Sequence, residues 1–232
     1  LRHVFFEMCL LGTGILKGPF SFDHTYHAFD TGEDANGNMI NVHVKKIKTV
    51  PKVEAVSCWD FYADPNATSI NDCDYVIQRH SLNRQQFSDL RKMPYFNEEA
   101  IDHCLEEGPN YQVRGYESSL YNRETVETIY KNRFEVLEYW GVISKDMAEE
   151  CGIESDKSVI SVNAWICGGK VLRMVENPFE PTRLPFMVCP YELNPYQFFG
   201  IGVPENMEDS QQIMNGHARM AIDNLALSGN LV

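Results

Sequence analysis

Aspartate and histidine crowd one short stretch of this 232-residue chain, where FDHTYHAFD places Asp23, His24, Tyr26, His27 and Asp30 within nine positions. Imidazole nitrogens beside carboxylates are a common donor set for zinc and other divalent metals. The spacing works against such a site. Successive side chains of an extended strand point to opposite faces, so His24 and His27 would be divided between them. Surface histidines on a hairpin are the simpler reading. The alternative is a cytoplasmic α+β enzyme, a metal- or carboxylate-dependent hydrolase using Asp23, His24 and His27.

A second pair of carboxylates, Asp60 and Asp64, sits in WDFYADP. Two carboxylates can divide general acid and general base roles. Aromatic residues running into Asp64-Pro65-Asn66 fit better as a buried strand ending in a turn, because Pro presets φ and Asp or Asn bonds the local backbone. Gly12-Thr13-Gly14-Ile15-Leu16-Lys17-Gly18 has neither G-x-G-x-x-G nor G-x-x-x-x-G-K-[ST] spacing and follows a helix, so a helix stop is expected rather than a phosphate cradle. Ser57, Ser81 and Ser161 lie in no Gly-x-Ser-x-Gly elbow. The seven cysteines, Cys9, Cys58, Cys73, Cys104, Cys151, Cys167 and Cys189, occur without a Cys-x-x-Cys pair. That suggests neither a zinc knuckle nor a disulfide framework, and reads as reduced thiols of a cytoplasm-like compartment. The Asn66-Ala67-Thr68 sequon is then a chance match. We assign no catalytic residue, no metal ligand and no cofactor, and expect a protein that is not an enzyme.

Charge narrows the partners. With 33 acidic and 20 basic residues the net charge is −13. Such a balance argues against a basic patch gripping phosphates, although an acidic wall would let a duplex slide past. No apolar run reaches the ~18 residues of a transmembrane helix, so no membrane partner is expected. The first residues, LRHVFFEMCLLGTGILKG, carry Glu7 and lack the cleavage pattern of a signal peptide. A first residue of Leu rather than Met suggests a piece of a longer chain.

The elements that would hold these residues follow from local pattern. Residues 2–11 are helix formers stopped by Gly12. The stretches 15–32 and 39–50 flank the turn-forming segment 34–38 and read as an antiparallel hairpin. Strands are predicted over 53–62, 75–80 and 134–143. Asn83 or Ser81 can cap a helix over 83–92, Asn97 one over 97–107, and Ser144 a short one ended by Gly152. A polar stretch, 108–126, reads as a surface loop. Residues 159–166 and 170–176 flank Cys167-Gly168-Gly169, a hairpin signal because glycine tolerates the positive φ of primed turns. Five prolines then punctuate extended chain between 178 and 195. The body is therefore α+β with mainly antiparallel strands and short helices.

A long helix closes the chain. Pro204 suits a first helical position, and Glu205, Glu208 and Asp209 complement the positive end of the dipole. Met207, Gln211, Met214, Ala218, Ala221, Ile222 and Leu225 follow 3–4 spacing and form one apolar stripe. Ile213, Met220 and Leu227 form a second, and Gly229 marks the end. Two stripes with polar ground between them suit a helix with a neighbour on each side, although an ordinary core helix of one domain has the same pattern.

Two segments together are similar to the portal proteins, or head-to-tail connectors, of tailed bacteriophages, especially short-tailed ones. VEAVSCWDFYADPNATSINDCDYVIQRHSLNRQQFSDL resembles the stretch of the portal wing in which an aromatic-Asp strand runs into an Asp-Pro turn, a Tyr-Val-Ile strand and a helix. PFMVCPYELNPYQFFGIGVPENMEDSQQIMNGHARMAIDNLALSGN resembles the segment where Gly-Ile-Gly-x-Pro opens a helix ending in Asp-Asn-x-Ala-Leu. VLEYWGVI, NAWICGGKVLRMVENPFEP and CLLGTGILKG fit the same pattern in order and spacing.

The resemblance implies a structural subunit of a ring, usually dodecameric, at one capsid vertex of the virion, assembled in the host cytoplasm. It implies a channel for packaging and ejecting double-stranded DNA without sequence specificity. The implied partners are other copies of the chain, the major capsid protein, the terminase motor and tail adaptor proteins. Residues 1–197 would be the wing and 198–232 the stem helix. The first apolar stripe, Met207, Gln211, Met214, Ala218, Ala221, Ile222 and Leu225, would form the subunit interface. Glu205, Asp209, Gln212, Arg219 and Asp223 would face the channel. The clip, the second stem helix and the crown are expected beyond Val232, and more wing before Leu1.

Overall fold

Helix α1 (Arg2–Leu11) ends where Gly12 turns left-handed at φ 84°, and the chain leaves directly into strand β1 (Thr13–Glu33). The computed structural model describes residues 1–33, 39–120, 130–153, 157–179 and 184–229. Strand β1 pairs antiparallel with β2 (Met39–Val56) from Ile15↔Val56 out to Glu33↔Met39, with a register shift between Lys17 and Phe20. The predicted turn at 34–38 lies outside the described residues. On its other side β1 pairs with β8 (Phe186–Pro190), giving a three-stranded sheet in the order β2-β1-β8.

A five-stranded antiparallel sheet forms the rest of the body. Its order is β3-β4-β5-β6-β7, from β3 (Phe61–Ala63), β4 (Tyr75–Asn83), β5 (Arg133–Ser144), β6 (Val159–Cys167) and β7 (Lys170–Glu176). Gly168 and Gly169, at φ 56° and 78°, make the β6–β7 turn, as primed-turn chemistry demands. Asn83 caps α2 (Arg84–Asp89) through a full capping box with Gln86, and the Asn97 side chain accepts from the Ala100 N–H at the start of α3 (Glu98–Glu107). Helix α5 (Lys145–Glu150) begins after Ser144, whose side chain makes no cap bond.

Three predicted segments come out differently. Residues 53–56 belong to β2, after which a single 3-10 turn, Cys58–Asp60, redirects the chain before the three-residue β3. Asp60, at the end of this turn, is held to Arg79 at 2.8 Å. Within the expected loop 108–126, Gly115–Leu120 forms helix α4, and 121–129 lie outside the described residues. The proline-punctuated stretch contributes β8, because its Phe186–Pro190 backbone completes the edge of β1.

Alternation on β5 sets the layers. Phe134, Val136, Glu138 and Trp140 share one face and are all buried. Phe134 and Val136 pack with Phe87, Leu90 and Ile101 from the α2–α3 region. Trp140 packs with Ile15, Val56, Phe61, Val76 and Phe186, which joins the two sheets. On the opposite face Ala148 of α5 covers Ile160 and Val162. The chain ends in helix α6 (Val203–Gly229), which includes the predicted span 204–228.

Candidate functional site

Helix α6 is anchored by close backbone contact. A Cβ on Gly12 would lie 2.1 Å from the Gly200 carbonyl oxygen, one on Gly200 2.7 Å from the Gly12 oxygen, and one on Gly202 2.8 Å from the Leu10 oxygen. Real Cβ atoms do not approach so closely, so all three positions must be glycine. Hydrogen bonds tie the same junction. Thr13 Oγ1 accepts from the Gly200 N–H at 2.8 Å, the Gly12 oxygen accepts from Tyr191 N–H at 2.8 Å, and the Glu192 oxygen accepts from Ile201 N–H at 3.0 Å. The start of α6 is thereby riveted to the end of α1. GIGVP therefore does more than introduce a helix.

Beyond this anchor α6 is uncovered. Every residue from 204 to 229 is exposed, over a length of ~40 Å at 1.5 Å per residue. Large apolar side chains stand in solvent, with Met214 72%, Leu225 71% and Leu227 77% exposed. At 3.6 residues per turn the stripe of Met207, Gln211, Met214, Ala218, Ala221, Ile222 and Leu225 covers roughly 100° of the circumference. Ile213, Met220 and Leu227 lie roughly 150° away from the centre of that stripe. Glu205, Gln212, Arg219 and Asp223 occupy a sector between the two stripes, and Asp209 lies at the edge of the smaller stripe, in line with Leu227. The apolar stripe read from spacing and the set that the resemblance would turn to the channel are centred on different sides of one exposed helix. Its polar surface is locally bonded, with Gln212 Nε2 donating to Glu208 Oε1 at 3.1 Å.

The body holds a buried polar centre that spacing did not predict. Glu138 accepts from Trp140 Nε1 at 2.8 Å, shares 2.7 Å with His80 Nε2, accepts from Asn163 Nδ2 at 3.2 Å and is ion-paired with Lys17 Nζ. Burial by itself raises a carboxyl pKa, but the His80 hydrogen bond and the Lys17 charge outweigh it and hold Glu138 down at about 2. An ionised carboxylate with both oxygens occupied is a structural anion and not a free base. It ties β1 of one sheet to β4, β5 and β6 of the other. A sequence signal existed: Glu138 is the charged residue on the otherwise apolar face of FEVLEYW.

Glu138 also forms the floor of a cleft of about 760 Å³ walled by Phe20, Phe22, Tyr95, Trp165 and Phe179. Arg173 lines it too, its guanidinium 5.4 Å from the Phe96 ring centre. On the sheet's other face Arg79 bonds Asp60 at 2.8 Å and Glu117 at 3.2 Å and lies 5.1 Å from the Tyr111 ring centre. Asp60 is thus committed to an ion pair. Asp64 Oδ1 accepts from the Asn66 N–H at 2.9 Å, closing the predicted turn.

The metal-like cluster is dispersed. His24 stands opposite Lys48 and His27 opposite Lys45, Asp23 accepts from Thr49 Oγ1 at 2.6 Å, and Asp30 pairs with Lys46 at 2.9 Å. His27 stacks on His43 with ring centres 4.7 Å apart. Among the described residues no three His, Cys, Asp or Glu side chains are grouped to hold a metal ion. No described helix is long and apolar enough to cross a membrane.

A protein-family model described as phage SU10 portal protein matches residues 23–231. No curated protein matches the chain. The family match takes in the outer part of the β1–β2 hairpin, the whole five-stranded sheet with Glu138, and helix α6, while α1 and the root of β1 precede it. A match over nearly the whole length of the chain places it in the phage SU10 portal protein family, a family with a structural role in the phage capsid.

Proposed function

We propose that this chain is the subunit of a portal ring at one capsid vertex, with residues 1–197 as its wing and 198–232 as its stem helix. The observation that carries the reading is the state of α6: a 27-residue helix, exposed at every position from 204 to 229, with apolar stripes on two sides. Burying each large aliphatic side chain is worth about 1.5–3 kcal/mol, so the helix has much to gain from neighbours. In a ring each stem helix meets two copies of itself through heterologous contacts. One copy covers the Met207, Gln211, Met214, Ala218, Ala221, Ile222 and Leu225 stripe, and the other covers Ile213, Met220 and Leu227. Glu205, Gln212, Arg219 and Asp223, between the stripes, and Asp209 at the edge of the smaller one, then face the channel.

Those five residues include three acids and one base, and the chain as a whole carries −13. A wall of that sign repels phosphates and lets double-stranded DNA pass during packaging and ejection. The major capsid protein, the terminase motor and tail adaptors are the partners of such a ring, which acts as a virion structural protein and not as an enzyme. Negative-stain imaging with native mass measurement of the full-length protein tests the reading. A ring of about twelve copies with a central hole is expected, and a compact monomer or dimer would overturn it.

A further inference from the structure

The outer part of the β1–β2 hairpin is an arm. Past the register shift, residues 20–33 and 39–52 pair only with each other among the described residues, whereas β8 meets β1 only at Thr13–Lys17. The ribbon is about 45 Å long at 3.4 Å per residue. Both faces are wet: Phe22, His24 and Tyr26 are exposed on one, His27, Phe29 and Ile47 on the other. Phe29 is 74% exposed and Ile47 67%. A two-stranded ribbon without cover is marginal in water, and these side chains raise the cost of leaving it so.

Charge indicates what covers it. Lys46 and Lys52 are paired with Asp30 and Glu54, but Lys45 and Lys48, one on each face, have no ion-pair partner among the described residues. The body leans the other way: among the described residues its exposed acids without an ion pair outnumber cations in the same state, such as Arg84 and Lys131. Glu98, Glu99 and Glu106 on α3, and Asp146 and Glu150 on α5, are exposed and equally without an ion pair. Copies of a chain of net charge −13 repel one another unless the cations of one meet the acids of the next.

We infer that this arm is a clasp: it lies on the carboxylate-rich body of a neighbouring copy, with Lys45 and Lys48 meeting acids and Phe29 and Ile47 covered. The inference rests on the ring reading and adds to it a second contact, remote in sequence from α6 and supplied by the body. Like-charged subunits would be held in order by a heterologous pair of surfaces, cationic arm to acidic body.

The test assembles full-length protein from a mixture of light and heavy isotope-labelled chains and treats it with a zero-length carbodiimide, which joins an ammonium to a touching carboxylate. Peptides linking Lys45 or Lys48 of one label to a carboxylate of the other are expected. The double variant Lys45→Glu, Lys48→Glu should lose those links, keep its circular dichroism and lower the ring fraction at least ~10-fold at equal concentration. Lys92→Glu, a matched reversal on the body, should leave the ring intact. A wild type that stays monomeric overturns the ring reading and this one with it. Rings whose Lys45 and Lys48 links stay within one copy, or are missing, overturn the clasp alone. So does an equal loss of rings in Lys92→Glu. A double variant that keeps its rings but loses affinity for duplex DNA also overturns it, in favour of a nucleic-acid contact.

Discussion

Gly12 and Gly200, 188 positions apart in the sequence, meet backbone to backbone, each leaving no room for a Cβ against the carbonyl oxygen of the other. Through this contact the helix that opens the chain fixes the direction of the helix that closes it. Glycine is the residue that lets two backbones come this close.

Substituting this junction should cost far more than a left-handed glycine elsewhere. Gly12→Ala combines a φ of 84° with the 2.1 Å approach to Gly200, whereas Gly152 has a similar φ of 83° and nothing within 4 Å. We expect Gly152→Ala to lose about 1–2 kcal/mol, the cost of the left-handed backbone, and Gly12→Ala to lose several kcal/mol. Chemical unfolding of the two variants side by side measures the difference, and equal losses would remove the steric account.

Acid should unlock the sheets through Glu138. Its carboxyl is held at about 2 against an ordinary 4.5, so the folded state favours the ionised form. A lowered pKa contributes stability above the ordinary carboxylate range and loses it as pH falls through the folded value. On the order of 3 kcal/mol should therefore disappear between pH ~4.5 and ~2. Glu138→Gln should flatten that part of the pH profile in thermal unfolding, and at neutral pH be destabilised by about 3 kcal/mol or more because Lys17 loses its buried partner.

Thiol reactivity should follow burial. Desolvation pushes Cys58 and Cys167 up to about 12, with Glu7 adding to the first and Cys104 to the second. Cys9 and Cys151 are exposed. At pH 8 an alkylating reagent should mark Cys9 and Cys151 first and reach Cys58 and Cys167 only on unfolding, as peptide mass spectrometry would show. Early labelling of Cys167 would contradict the packing around it.

Assembly should fail at α6 without loss of the body. Ala218 lies in the middle of the larger apolar stripe and is exposed, so Ala218→Glu places a carboxylate where a neighbouring helix is expected. Burying that charge unpaired costs several kcal/mol. We expect native mass to shift from ring to small species while the unfolding midpoint of the body stays within a few degrees. An unchanged ring mass would count against α6 as the stem.

Much of the architecture was readable from local chemistry. Asn83 and Asn97 cap helices because their side chains bond N–H groups three residues on, and Gly168-Gly169 turns a hairpin because both need positive φ. The long closing helix follows from its 3–4 spacing and its Pro204 start. In these cases the deciding interactions span a few residues, so their physics is present in the sequence itself.

The tertiary structure decided what depends on distance along the chain. It turned Cys58–Asp60 out of a strand and gave β8 to the edge of β1. It made Glu138, a lone charge on an apolar face, the tie between two sheets by bringing Lys17 to it across 121 positions. The sequence by itself determined the capped helices, the glycine hairpin turn and a last helix with two apolar sides. Only the fold decided that those sides are left bare, because whether a stripe is covered depends on every other element competing to bury it.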